Sequence, residues 1–174
     1  MKRSWGFRTK LPDSVSAPEP MLVLQFRVGQ DLFGLDGGNI IEVAPLTVLR
    51  KLPHAEVYVA GLFNYRGSLV PSIDLSALLT GVPSRQLLST RIVVVSYAPG
   101  LEPGRVLGLI AEGVTEVHRF EETELQDPGI AVAGAPYLGK VWVNEGRSLQ
   151  LIDLNKVLPE TLRVSLFSHA EPAV

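Results

Sequence analysis

The chain repeats itself. Residues 33–43, FGLDGGNIIEV, align with residues 107–117, LGLIAEGVTEV, pairing Gly34 with Gly108, Leu35 with Leu109, Glu42 with Glu116 and Val43 with Val117 at one offset. Residues 70–79, VPSIDLSALL, align with residues 149–158, LQLIDLNKVL, at nearly the same offset. There Ile73, Asp74, Leu75 and Leu79 meet Ile152, Asp153, Leu154 and Leu158. Two similar offsets in the same order imply two related subdomains, about 22–80 and 90–158. A chain of 174 residues has room for two such units packed as one, and 46% hydrophobic residues suffice for a core.

Inside each copy the hydrophobic period is two. Leu22, Leu24, Phe26 and Val28 alternate with Val23, Gln25 and Arg27, the pattern of a half-buried strand. Gly29-Gln30-Asp31 then makes a turn, and residues 32–35 return as the second arm of a hairpin. Further strands are expected at 57–63, 69–73, 92–97, 106–111, 114–118, 137–143 and 148–152, while Ile40–Val43 reads as either a strand or a helical turn. Short strands separated by glycine-rich turns at this density predict an all-β protein made of small barrels. Asp74 and Asp153 each end an apolar strand and open a Leu-x-x-x-Leu stretch, the place of a helix N-cap. Pro71 inside an apolar run marks an edge or bulged strand.

Both ends differ from this core. Residues 1–20 are rich in proline and serine and read as a flexible arm that carries Trp5 and Phe7. They contain no apolar stretch of signal-peptide type. Met21 stands directly before the alternation, where a second translation start also yields both repeats. Residues 159–174 read as a C-terminal helix and tail, with Pro159 starting a helix that sets Leu162, Leu166 and Phe167 on one face.

The residues exclude most chemistry. There is no cysteine, and so no thiolate nucleophile, disulfide or iron–sulfur site. Glycine-rich phosphate loops, HExxH and GxSxG are missing. His54, His118 and His169 are the only histidines and read as solvated side chains, and no metal or cofactor is expected. Glu112, Glu116, Glu121, Glu122, Glu124 and Asp127 lack EF-hand spacing and read as a solvated acidic surface. A net charge of −2 disfavours nucleic acid, and no run approaches the roughly 18 apolar residues of a membrane span. Arg50, Lys51, Arg66, Arg85 and Arg91 outnumber Glu56 and Asp74 over residues 50–91, which sets an electropositive region against the acidic one. Within 61–75, GLFNYRGSLVPSIDL, Arg66-Gly67 interrupts two strands as a turn and must leave the arginine in solvent or on a carboxylate.

The block GLFNYRGSLVPSIDLSALL resembles the signature of the CheW-like domain, the coupling module of bacterial chemosensory pathways. The resemblance extends from Leu22 to Leu158 and includes LVLQFRVGQDLFGLD, the IIEV segment, STRIVVVSY, GLIAEGVTEV and YLGKVWVNEGRSLQLIDLNKVL. It implies two small five-stranded SH3-like barrels around a shared hydrophobic junction, with short helices. It also implies a non-catalytic adaptor of a two-component pathway, without cofactors. Its partners are then the cytoplasmic hairpin tip of a chemoreceptor and the regulatory domain of a CheA-type histidine kinase, together with other CheW-like proteins. The implied location is the cytoplasm, beside membrane-associated receptor arrays and without direct membrane insertion. The output is either flagellar chemotaxis or that of the auxiliary couplers in chemosensory-type pathways. By the same resemblance Ile40, Glu42, Gly61, Arg66 and Val117 are protein-binding residues, with Glu42 the mate of Arg66. Gly37-Gly38-Asn39 departs from the larger residues usual there, and Tyr65 stands where leucine is usual. Two other readings compete: a small hydrolase using Asp74, Asp153 and Arg66 at the junction, and an SH3-like peptide binder outside chemosensory signalling. Unpartnered carboxylates near one another distinguish the hydrolase, and an aromatic groove the peptide binder.

Overall fold

The computed structural model describes residues 20–97 and 104–168. Trp5, Phe7 and His169 lie outside them. The order is β1 (Met21–Val28), β2 (Asp31–Asp36), β3 (Ile40–Pro45), β4 (Val59–Tyr65), β5 (Ser68–Asp74), α1 (Leu75–Thr80), β6 (Arg91–Ser96), β7 (Val106–Phe120), β8 (Leu125–Gln126), β9 (Leu138–Asn144), β10 (Arg147–Ile152) and α2 (Glu160–Phe167). Single 3₁₀ turns occupy Gly37–Asn39, Glu122–Glu124 and Leu154–Lys156. The two strands expected at 106–111 and 114–118 are one continuous strand.

The expected pair of closed barrels does not form. The strands belong to one open ten-stranded sheet, ordered β3-β6-β7-β1-β2-β10-β9-β8, with β5 joined to β7 and β4 to β5. Among the described residues, the only pairing between the β3 side and β4 is an isolated bridge from Arg50 to Leu62. The physical reason lies in the pairing. Strands β1 and β2, from the first repeat, ladder with the second half of β7 and with β10. Strand β5 ladders instead with the first half of β7, in parallel, Ser72 opposite Gly108. Alternation states which face of a strand is buried, and it carries no information about which neighbour the strand takes.

Packing follows from this exchange. Strand β6 reads as an unbroken apolar run because both faces are covered. Val93 and Val95 join Phe26, Leu35, Ile73, Leu107 and Leu109 in the main core, and Ile92 and Val94 join Phe63, Val70 and Ile110 in a second cluster. Each such fully buried side chain contributes about 1.5–3 kcal/mol. The repeat glycines are places of close approach. A Cβ on Gly34 would stand 2.4 Å from Val23 Cγ1, and one on Gly108 would stand 2.5 Å from Phe63 Cε1. Pro71 sits one residue before β5 begins to pair with β7, where its missing N–H faces no ladder on that side.

The capping expectation holds. Asp74 Oδ1 accepts from the Ala77 N–H at 3.1 Å at the start of α1, and Asp153 Oδ1 accepts from the Asn155 N–H at 3.1 Å at the start of its 3₁₀ turn. Helix α2 begins after Pro159 and turns Phe167 inward, where its ring stacks 5.7 Å from that of Tyr97.

Glu112 is not part of a solvated surface. It is buried on β7 and accepts three bonds from Arg85: backbone N–H at 2.6 Å, Nε at 3.0 Å and Nη2 at 2.9 Å. The pair joins the electropositive segment to the acidic one and cancels charge between them. Replacing Arg85 by alanine leaves the buried carboxylate with one donor. Because the arginine side chain is itself 69% exposed, the expected loss is about 1–3 kcal/mol in a urea melt, below the full cost of breaking a buried pair. A loss under 0.5 kcal/mol would show that solvent already serves Glu112.

Candidate functional site

Strands β4 and β5 close over a two-residue turn in which Tyr65 is opposite Ser68. Both central residues have positive φ, 51° at Arg66 and 89° at Gly67. This is type I′ geometry, whose twist matches that of the strands. Gly67 adopts it freely, whereas Arg66 adopts it at a cost of about 1–2 kcal/mol. Asn64 holds the turn, its Oδ1 accepting from the Gly67 N–H at 2.9 Å.

The arginine leaves the end of the hairpin and folds back over the Tyr65 ring, 5.0 Å from its centroid. Its Nη2 donates to Glu42 Oε2 at 3.2 Å, and the Tyr65 hydroxyl donates to the same oxygen at 3.1 Å. Glu42 belongs to β3, so this cluster links β3 to the β4–β5 hairpin across the gap where the sheet stays open. The side chains of Arg66 and Glu42 are 67% and 44% exposed, so the ion pair contributes only about 0–1 kcal/mol to folding. Tyr65 is the residue that sequence reasoning missed as the second donor to Glu42. The signal was its departure from the usual leucine. Burial raises its hydroxyl pKa first, and the bond to Glu42 adds to this, while Arg66 opposes it. The phenol therefore stays protonated and donating at neutral pH.

The other expected site residues are dispersed. Ile40 follows the 3₁₀ turn Gly37–Asn39, which Asp36 Oδ1 caps by accepting from the Gly38 N–H at 2.9 Å, and it packs half-buried on the main core. The register slips between Ile40 and Glu42, and Ile41 and Val43 are exposed beside Glu42 on β3. Gly61 is buried in β4 with φ at 139°. A Cβ there would lie 2.5 Å from the Arg50 carbonyl oxygen, which accepts from the Leu62 N–H at 2.8 Å. Val117 is exposed opposite Leu24. It lies nine residues beyond Gly108 on β7, up to about 30 Å along an extended strand, and Gly108 pairs with the Val94 that neighbours Glu42. Glu42 and Arg66 are thus brought together, with Ile40 at the start of the same strand, and Val117 is not.

The carboxylates of the hydrolase reading are already occupied. Asp74 also accepts from the Ser84 N–H at 2.8 Å and the Ser84 hydroxyl at 2.7 Å, and Asp153 pairs with Lys156 Nζ at 3.2 Å. His118 is half-buried, with Nε2 2.9 Å from Gln25 Oε1 and 3.2 Å from Glu116 Oε2. No group of three or more metal-ligating side chains occurs among the described residues.

A family model described as the CheW-like domain matches residues 22–161. The chemotaxis protein CheW of Rhizobium meliloti is 29% identical over 81% of this chain and 89% of its own. The protein FrzA of Myxococcus xanthus is 26% identical over 76% of this chain and 82% of its own. The crystal structure of the scaffolding protein TtCheW from Thermoanaerobacter tengcongensis superposes with a TM-score of 0.71 at 23% identity, covering 84% of this chain and 93% of that one. The structural likeness carries the fold.

Gly61 separates folding from binding at this site. Replacing it by alanine forces a Cβ against backbone in a conformation that L-residues avoid, with an expected loss of about 2–4 kcal/mol in a denaturant melt. A G61A protein as stable as the parent would mean that the 50–62 bridge moves aside without cost.

Proposed function

The chain belongs to the CheW-like domain family, and we propose that its coupling surface is the exposed face on which Arg66 and Tyr65 share Glu42. The protein is a non-catalytic adaptor that couples chemoreceptors to a CheA-type histidine kinase in chemosensory signal transduction. In this reading the cytoplasmic hairpin tip of the receptor and the regulatory domain of the kinase are the bodies it joins, and further CheW-like proteins pack on it. It works in the cytoplasm, recruited to receptor arrays at the membrane. No helix among the described residues is long and apolar enough to cross a membrane.

One observation carries the proposal: the hairpin keeps Arg66 in a costly backbone conformation, although its side-chain pair is too exposed to stabilise the fold. Strain kept without a return in stability marks a group retained for contact. The guanidinium has five donors, and only one is committed to Glu42. Ile41 and Val43 are exposed on the same strand as Glu42, Val43 on the face opposite to it. Ile40 positions that strand from the core side, and Gly61 fixes the backbone beneath the hairpin. Val117 belongs to a second contact on the far part of β7.

Two substitutions separate this role from a structural one. R66A removes the ion pair and keeps an L-residue in the left-handed turn, so about 0–1 kcal/mol of folding free energy is lost. R66G relieves the turn as well, and its stability is expected within about 1 kcal/mol of the parent or above it. Both are expected to weaken binding to the receptor tip or the kinase regulatory domain by about 2–5 kcal/mol in calorimetry. Affinities unchanged for both partners would remove Arg66 from the surface.

A further inference from the structure

A cleft of about 830 Å³ opens at the base of the β4–β5 hairpin, the end remote from Arg66. Val59 from the main core and Ile110 from the second cluster form its floor. One wall is the connection 46–57, which contributes Val48, Leu52 and Val57, and the other is the segment after α1, which contributes Pro83 and Ser84. Both walls are tied to the sheet. Arg50 and Leu62 exchange two backbone bonds of 2.8 Å, and the Val59 N–H donates to the Glu56 carbonyl at 2.8 Å, so the first wall is held at its middle and at its end. Ser84 holds the second, its N–H and its hydroxyl both donating to Asp74. Walls fixed in this way do not collapse onto the floor, and the cleft is pre-formed.

The rim is apolar as well. Val48 is 91% exposed and Val57 66%, and Val82, at 64%, stands just before Pro83 on the opposite side. Apolar residues scattered singly over a surface are ordinary, whereas a group of them around a concave site marks a contact. The charge at the cleft is one-sided. Asp74 is its one carboxylate, and it is buried with three donors from Ala77 and Ser84. Lys51 is its one cation, exposed and without a carboxylate partner among the described residues. Glu56, the only acid of the first wall, does not line the cleft. The unneutralised charge is therefore positive. An open cleft whose apolar area continues past its rim suits a helix laid along it, with side chains at i, i+3 or i+4 and i+7 entering the floor. A small molecule seated on the floor would leave Val48 and Val82 in water.

We propose that the cleft between the 46–57 connection and the segment after α1 is a docking groove for an amphipathic helix of a partner protein. The apolar stripe of the helix fills the groove, and a glutamate or aspartate beside that stripe pairs with Lys51. The groove is separate from the face on which Arg66 and Tyr65 share Glu42, and it does not rest on that face being the coupling surface.

The probes are two synthetic helices of about 18 residues, long enough to hold helical structure, with the same leucine stripe. One carries glutamates beside the stripe and the other lysines. Each is titrated into the full chain by calorimetry. The acidic helix is expected to bind at least tenfold more tightly than the basic one. K51E should abolish or invert that preference with an unchanged melt, because Lys51 is exposed and unpaired. V48S/V57S removes apolar area from one rim without touching the floor, and should weaken both helices about tenfold. R66A should bind both as the parent does. Absence of binding by either helix, or equal affinities in the parent, K51E and V48S/V57S, overturns the groove. A loss caused by R66A would put the helices on the coupling surface and overturn it equally. Laurate, titrated below its micelle concentration, separates the remaining case. If it binds, V48S/V57S abolishes that binding and neither helix binds, the occupant is a free amphiphile and the helix is refuted.

Discussion

Strand β7 is the member from which every other strand hangs. Its first part lies between β6 and β5, and its second part runs beside β1. From β1 the ladder continues through β2, β10 and β9 to β8, and from β6 it reaches β3. Residues 106–112 of β7 are buried in succession, so the strand is covered on both faces where the two halves of the sheet meet. That continuity puts a carboxylate, Glu112, inside the protein at the point of transfer. A buried carboxylate without donors would be costly, and the Arg85 fork and backbone N–H provide them. The two repeats cannot separate, because each has given strands to a ladder that β7 shares.

This arrangement explains which parts of the molecule were legible in the sequence. Local signals survived. The turn at Gly29, the aspartate caps and the helix after Pro159 depend on contacts within a few residues, and all are present. The strand expected at 22–28 forms, but it is not half-buried, since Val23 and Gln25 are buried with Leu24 and Phe26 while Leu22 is exposed. The equivalence of Gly34 and Gly108 also held, because each repeat needs one strand position without a side chain. What failed was non-local. Closed barrels were expected from the density of short strands, but closure depends on which repeat supplies the next neighbour. The break expected between 111 and 114 is absent, because the ladder to β1 takes up the irregularity there within one strand. Glu112 looked like its acidic neighbours because nothing in its own vicinity reveals an arginine 27 residues earlier.

The site divides in the same way. Arg66 and Glu42 were legible as a pair through family resemblance, and the Arg-Gly turn predicted on chemical grounds that the arginine would project. The role of Tyr65 was hidden, since it depends on two side chains from a separate strand reaching one oxygen. Gly61 was expected only as a binding residue, through resemblance. That the Arg50 carbonyl lies where its side chain would be is a non-local contact that the sequence did not reveal.

The open edge of the sheet then acquires a meaning for coupling. If β3 were laddered to β4, Glu42 would sit over a row of backbone hydrogen bonds, and any partner that pulled on it would have to disturb them. Instead the two strands are joined there by one carboxylate oxygen and two side-chain donors. Rearranging such a link costs little, because the pair is exposed and screened. A partner carboxylate can take the unused donors of Arg66 while Tyr65 keeps hold of Glu42, and the main core is not required to move. The more deeply buried Arg85–Glu112 pair does the opposite work on the adjoining strand, where it holds β7 in place. The fold thus keeps its strong polar contact at the point where both repeats are joined and its weak one at the exposed edge proposed as the coupling surface.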